Sequence, residues 1–123
     1  MIHQVLHHMH LDHEPFRKIK TGVKTIELRL NDEKRRRIQV GDRILFDDRS
    51  DPADTVEAEV VALHRFKDFR ELYANLPLEK CGYTTAEAVR NARPEDMFAY
   101  YSMEQQQTFG VVGIEIRLLN GKP

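Results

Sequence analysis

Thr21-Gly22-Val23-Lys24-Thr25-Ile26-Glu27-Leu28-Arg29-Leu30 carries the most informative pattern in the chain. Just before it, Glu14-Pro15-Phe16-Arg17-Lys18-Ile19-Lys20 is amphipathic and predicts a short helix stopped by Gly22. From Thr25 onward, polar and apolar residues alternate as in a strand, which puts Thr25, Glu27 and Arg29 on one face and Lys24 at its mouth. That is more polarity than solubility requires, and it marks the place to look for chemistry. Strict alternation sets Lys24 and Glu27 on opposite faces, so they cooperate only if Lys24 sits in the turn or a bulge re-aims it. The plainer alternative is a Glu27–Arg29 ion pair on a solvated strand.

Working outward, Ile2 to Leu11 alternates loosely and predicts an N-terminal strand. Asn31 to Ile38 reads as a polar connection, Val40-Gly41-Asp42 as a turn, and Arg43 to Phe46 as the start of a strand. Asp47 to Asp54, with Pro52, reads as the next turn. Thr55 to Phe66 alternates over its length, with Val56, Ala58, Val60, Ala62 and His64 on one face. The pattern then turns helical. Phe69, Leu72, Tyr73 and Leu76 share a helix face, Thr84 with Glu87 resembles a capping box, and Pro94 opens a helix to about Thr108 with Phe98, Tyr101 and Met103 inward. Gly110 to Leu119 closes the chain as a strand. Strands, inserted helices and a returning strand predict a single α+β domain, a small β-barrel, over residues 1–123.

A chain of 123 residues, 41% hydrophobic and 32% charged, suits one folded domain rather than a disordered segment. No apolar run approaches a membrane span, no signal peptide is evident, and the one cysteine, Cys81, excludes an internal disulfide, which together predict a cytoplasmic protein with no membrane association. The formal charge of −1 gives no general affinity for nucleic acid, so any such affinity rests on local patches.

Gly22-x-Lys24-Thr25-Ile26-Glu27-x-Arg29, then Gly41-Asp42-x-Ile44-x-Phe46, then Phe109-Gly110-Val111-Val112-x-Ile114-Glu115 together resemble an ASCH domain, of the PUA-like superfamily. The resemblance runs from the first strand to the last. It implies a PUA-like barrel with a cleft beside the lysine-bearing strand, and RNA, nucleosides or modified bases as ligands. Members include modules similar to RNA-binding domains, ribonucleases, and small bacterial amidohydrolases that deacetylate N4-acetylcytidine. In the amidohydrolases the working residues are a lysine at this strand, a threonine three positions later and a glutamate in the helical insertion. Lys24 matches the lysine, Arg29 matches a recurring arginine, and Glu79 is the candidate for the insertion's glutamate. Glu27 stands where that scheme has its threonine, so the hydroxyl nucleophile is replaced.

Amide hydrolysis needs an activated nucleophile, stabilisation of the tetrahedral oxyanion, and a proton for the leaving amine. The resemblance makes Lys24, Glu27 and Glu79 the candidate catalytic residues: Glu27, or Glu79 in the insertion, activates water while Lys24 or Arg29 holds the oxyanion. Thr25, Arg29 and Tyr101 are the candidate substrate-binding residues. The scheme needs no cofactor. Two alternatives use the same cleft: a non-catalytic RNA-binding module assisted by the basic run Lys34-Arg35-Arg36-Arg37, and a ribonuclease in which Lys24 stabilises charge on the phosphate. The plainer alternative for the basic run is a solvated loop balanced by Asp32 and Glu33. Tyr100 and Tyr101 are both expected to pack in the core, the alternative being one in the core and the other, at a helical offset, over the pocket to stack on a base.

His3, His7, His8, His10 and His13 invite a metal site, and His8 and His10 share a strand face. A third suitable ligand is not evident, so these are read as surface or half-buried histidines with no metal. His64 reads as a satisfied core residue, and Cys81, with no histidine near it in sequence, as structural.

Overall fold

The computed structural model describes residues 4–119. Five strands, β1 (Leu6–Leu11), β2 (Ile26–Leu30), β3 (Arg43–Asp48), β4 (Asp51–Phe66) and β5 (Val111–Leu118), form one sheet in the order β1-β3-β4-β5-β2. β1 runs parallel to β3, and every other pairing is antiparallel. The sheet curls into a half-barrel, the α+β architecture expected of a PUA-like ASCH fold. Its edge strands are β1 and β2.

Alternation distributes β5 between two apolar clusters. Val112, Ile114 and Ile116 join Phe46, Val60 and the α1 (His13–Lys20) residues Phe16 and Ile19 on one side. Val111 joins Ile26, Leu28 and Leu30 of β2 on the other side, against Phe69 and Leu72 of α3 (Phe69–Asn75). Gly113 lies on this second side, where a Cβ would stand 2.7 Å from Leu76 Cδ1 and 3.2 Å from Ile26 Cγ2. Both faces of β5 are therefore buried, and glycine is what lets Leu76 lie against it.

The Gly41-Asp42 turn has a structural task of its own. The buried Asp42 carboxylate accepts from the Gln39 amide at 3.0 Å and the Val5 amide at 3.3 Å, and pairs with His7 Nε2 at 2.9 Å. Burial opposes its ionisation, but these donors prevail and lower its pKa. Asp48 does the same at the far end of β3, held to about 2 by hydrogen bonds from Ser50 and His13.

Several expected boundaries move for identifiable reasons. The polar connection contains a one-turn helix, α2 (Glu33–Arg36), because Asp32 accepts from the Arg35 amide at 3.1 Å. The 47–54 turn shrinks to Arg49-Ser50, since β4 already begins at Asp51. A bulge between Val60 and Ala62 reverses the inward phase of β4, so Leu63 packs on the first cluster instead of continuing the face of Val56, Ala58 and Val60. His64 is half-buried and pairs with Glu115 at 2.9 Å, rather than sitting in the core. Thr85, not Thr84, caps α4 (Ala86–Asn91). The helix from Pro94 breaks into a 3-10 turn, Pro94–Ala99, and α5 (Met103–Phe109), because Ser102 and Gln105 form a capping box that starts a new helix. Met97 and Gln106 face inward there, whereas Phe98 and Met103 are exposed. The expected N-terminal strand is seen from Leu6; Ile2 and His3 lie outside the described residues.

Candidate functional site

The gap between the two sheet edges is a cleft of about 410 Å3, inside the range of small-molecule sites. One wall is the end of β1 and α1, from His10 and Leu11 to Pro15 and Lys18. The floor is Lys24, Glu27 and Arg29, and the other wall comprises Tyr73, Cys81, Gly82 and Tyr83. Asp96 and Tyr100 form the rim, and Tyr101 lines the cleft beneath them.

Lys24 reaches the floor because it precedes β2. Gly22, at φ +86, turns the chain after α1, and the Lys24 amide donates to Lys18 O at 3.0 Å. The side chain is thereby freed from strand alternation, and Nζ lies 2.9 Å from Glu27 Oε1. Arg29 Nε donates to the other oxygen, Oε2, at 2.7 Å. All three side chains are buried, and Glu27 is only 5% exposed. Burial opposes a charge on Glu27, yet the Lys24 and Arg29 cations outweigh it and hold the carboxyl at about 2. Burial likewise opposes charge on Arg29, and the Glu27 carboxylate overcomes this and raises its pKa. A carboxylate so stabilised is a weak proton acceptor near neutral pH. Its chemical task in this arrangement is to fix two cations.

The Leu78–Cys81 3-10 turn brings the opposite wall close to Lys24. Gly82, at φ +117, follows it, and a Cβ there would stand 3.5 Å from Lys24 Cδ. Lys18 Nζ donates to Gly82 O at 2.9 Å, tying α1 to this turn across the cleft. Cys81 is buried, its thiol pushed up to about 11 by desolvation, so it remains protonated and inert.

The structure brings Lys24, Glu27, Arg29 and Tyr101 to one cleft. Thr25 and Glu79 lie elsewhere, on a shallow surface with Val23, Lys80 and Thr84. Thr25 departs from the expected shared face because its amide donates to Lys80 O at 2.9 Å and β2 begins only at Ile26. Glu79 is exposed on the first turn of its 3-10 segment. Tyr101 is the core-facing tyrosine, stacked on Phe69 at 5.9 Å, while Tyr100 is 61% exposed at the rim. The cleft also holds Lys18, Tyr73, Tyr83 and Asp96, which the sequence reading passed over. They come from α1, α3, the loop after Leu78–Cys81 and the Pro94–Ala99 turn, and no spacing links them.

None of Lys34, Arg35, Arg36 and Arg37 lines the cleft. Arg35 pairs with Asp32 at 3.3 Å, Arg37 with Glu33 at 3.6 Å, and Arg36 donates to Phe109 O at 3.3 Å. His10 and His13 pair with Asp47 and Asp48, each at 2.7 Å. Among the described residues no three His, Cys, Asp or Glu side chains converge as metal ligands, and no helix is long and apolar enough to cross a membrane.

The model of the ASCH domain family matches residues 9–120. The chain belongs to the ASCH domain family. That family is associated with RNA binding and with hydrolase activity. Among solved structures, the hypothetical protein PH0355 is 29% identical at a TM-score of 0.78, the match covering 94% of this chain and 100% of that one. Protein PF0455 from Pyrococcus furiosus is 32% identical at a TM-score of 0.68, over 94% and 99% of the two chains. ASCH from Zymomonas mobilis shares the fold at 17% identity and a TM-score of 0.51, over 91% of this chain and 66% of that one. No curated protein matches the chain.

Proposed function

We propose that this ASCH domain takes one nucleoside into the cleft between its sheet edges and hydrolyses an acylated exocyclic amine on the base, N4-acetylcytidine being the type. The observation that carries this reading is the buried Lys24 ammonium, fixed by Glu27 on the floor of a cleft of about 410 Å3. In such a reaction water adds to the acyl carbonyl and the developing oxyanion lies against Lys24. The C–N bond then breaks as N4 takes up a proton, giving cytidine and acetate. Glu27, held ionised at about 2, serves as a positioning residue for Lys24 in this scheme rather than as the base.

A second reading, base binding without hydrolysis as in an RNA-binding module, is favoured by one observation. Thr25 lines a separate surface and Glu27 is a poor base, so neither supplies an activated nucleophile beside Lys24.

Ultraviolet-monitored turnover of N4-acetylcytidine, with calorimetric titration of the same ligand, separates the two. Hydrolysis by the wild type, reduced at least about 100-fold in folded Lys24→Ala, supports the first reading. Saturable binding without turnover replaces it with the second. Neither binding nor turnover, with this or longer N4-acyl groups, removes the nucleoside assignment.

A further inference from the structure

One wall of the cleft carries a chain of hydrogen bonds that the hydrolytic scheme leaves unused. Tyr83 Oη donates to Asp96 Oδ2 at 2.7 Å, and the Tyr73 and Tyr83 hydroxyl oxygens lie 2.6 Å apart. The three residues come from three elements: α3, the loop after Leu78–Cys81, and the Pro94–Ala99 turn. Asp96 is anchored in turn, since its Oδ2 also accepts from the Arg93 amide at 3.1 Å. Tyr73 is buried, Tyr83 half-buried and Asp96 exposed, so the chain runs from the depth of the cleft to its rim.

The direction of this chain follows from proton counting. A phenol has one hydrogen. That of Tyr83 goes to Asp96, so the contact between the phenols is made by the hydrogen of Tyr73. Both protons are consumed within the chain, and only oxygen lone pairs are left for a ligand. Burial raises the pKa of both phenols, that of Tyr73 to about 12, so neither ionises and the direction is maintained across the physiological range. Elsewhere the cleft offers donor-only side chains, Lys18, Lys24 and Arg29, beside the carboxylates of Asp12, Glu14 and Glu27.

Resting on the assignment of this cleft to a nucleoside, we infer that the Tyr73–Tyr83–Asp96 chain is its base-reading element, an obligate acceptor that selects bases carrying an exocyclic N–H over those carrying a carbonyl at that position. Cytosine, or an N4-acylated cytosine with its remaining N–H, meets the chain with a donor. Uracil would set a carbonyl lone pair against phenol lone pairs and leave both unpaired, which is how a polar site rejects an analogue. An N4-acyl cytosine also carries an acyl oxygen, an acceptor suited to Lys24, so one ligand satisfies both walls.

Asp96→Asn is nearly isosteric and relaxes the constraint on direction when its amide nitrogen takes the place of Oδ2 and gives up the Arg93 contact, while Tyr83→Phe releases the Tyr73 proton outright. The Asn amide can donate to Tyr83, Tyr83 to Tyr73, and Tyr73 to the ligand, turning an acceptor into a donor. Calorimetric affinities for cytidine and uridine, measured on folded wild type, Asp96→Asn and Tyr83→Phe, read this directly. The wild type is expected to favour cytidine by about tenfold or more, with the ratio falling to about one or inverting in Asp96→Asn and falling in Tyr83→Phe, where the Tyr73 proton is released. Nucleoside binding with no preference in the wild type, or a preference unchanged in both variants, overturns the inference and leaves the nucleoside assignment standing. Binding of neither nucleoside nor N4-acetylcytidine overturns both.

Discussion

Arg29 spans the gap between the two sheet edges, donating from Nε to Glu27 on its own strand and from Nη2 to the His10 carbonyl of β1 at 3.1 Å. One guanidinium thus stands in for the backbone ladder that a closed barrel would have there, and the same gap is the cleft. Arg29→Ala removes this bridge and half the compensation of a buried carboxylate. It should cost about 2–3 kcal/mol, because Lys24 still faces Glu27. Urea denaturation measures this; a loss below 0.5 kcal/mol would show the bridge to be incidental.

The low pKa of Glu27 gives stability a definite acid dependence. A carboxyl at about 2 in the folded chain, against an ordinary 4.5, is protonated first in the unfolded chain. Its contribution is therefore complete above pH 4.5 and disappears as pH falls through 2, on the order of 3 kcal/mol in all. Asp42 and Asp48, also lowered, lose their contributions on acidification too, so the informative quantity is the difference between wild type and Glu27→Gln. The variant should be less stable at pH 7 and show a shallower decline below pH 4.5. Parallel curves would contradict the burial of this charge.

Gly113 predicts a packing effect in the second apolar cluster. A Cβ at this position meets Leu76 Cδ1 at 2.7 Å, so Gly113→Ala should destabilise by about 1–3 kcal/mol. Adding Leu76→Ala should recover part of that loss, and thermal melts of the two singles and the double decide it. Additive losses would place the strain elsewhere.

Tyr100 separates binding from stability. It is exposed at the rim, so Tyr100→Ala should alter stability by less than about 0.5 kcal/mol. If the ring stacks on a base, nucleoside affinity falls by about 5- to 100-fold, equivalent to about 1–3 kcal/mol. An unchanged affinity in the calorimeter would remove Tyr100 from the site.

The sequence disclosed the fold most clearly where one face of an element is buried and the other is not. α1 shows this, with Phe16 and Ile19 inward, and so does α3 with Phe69 and Leu72. It misled where the backbone leaves its period. Val61 bulges with no glycine or proline to announce it, and Thr25 reads as the first strand residue although its amide bonds to Lys80. The Ser102–Gln105 capping box is legible in the residues, but the helical spacing from Pro94 runs straight through it and hides the break. In the cleft, Lys24, Glu27 and Arg29 are neighbours in sequence and could be singled out together. Tyr73, Tyr83 and Asp96 meet only through tertiary packing, and no local pattern could pair them.

The position of β5 bears on how this molecule is assembled over time. β2 carries Glu27 and Arg29, and its sheet partner is β5, which lies more than 80 residues further along the chain. During synthesis, the strand at the floor of the cleft must wait for the last strand to emerge before its amides are paired. Such long-range closure slows folding, and formation of the site should coincide with the final cooperative step. Pulsed hydrogen exchange during refolding should find Glu27 and Ile114, opposite each other in this pairing, protected together, after the β3–β4 hairpin. Early protection of β2 alone would contradict this order.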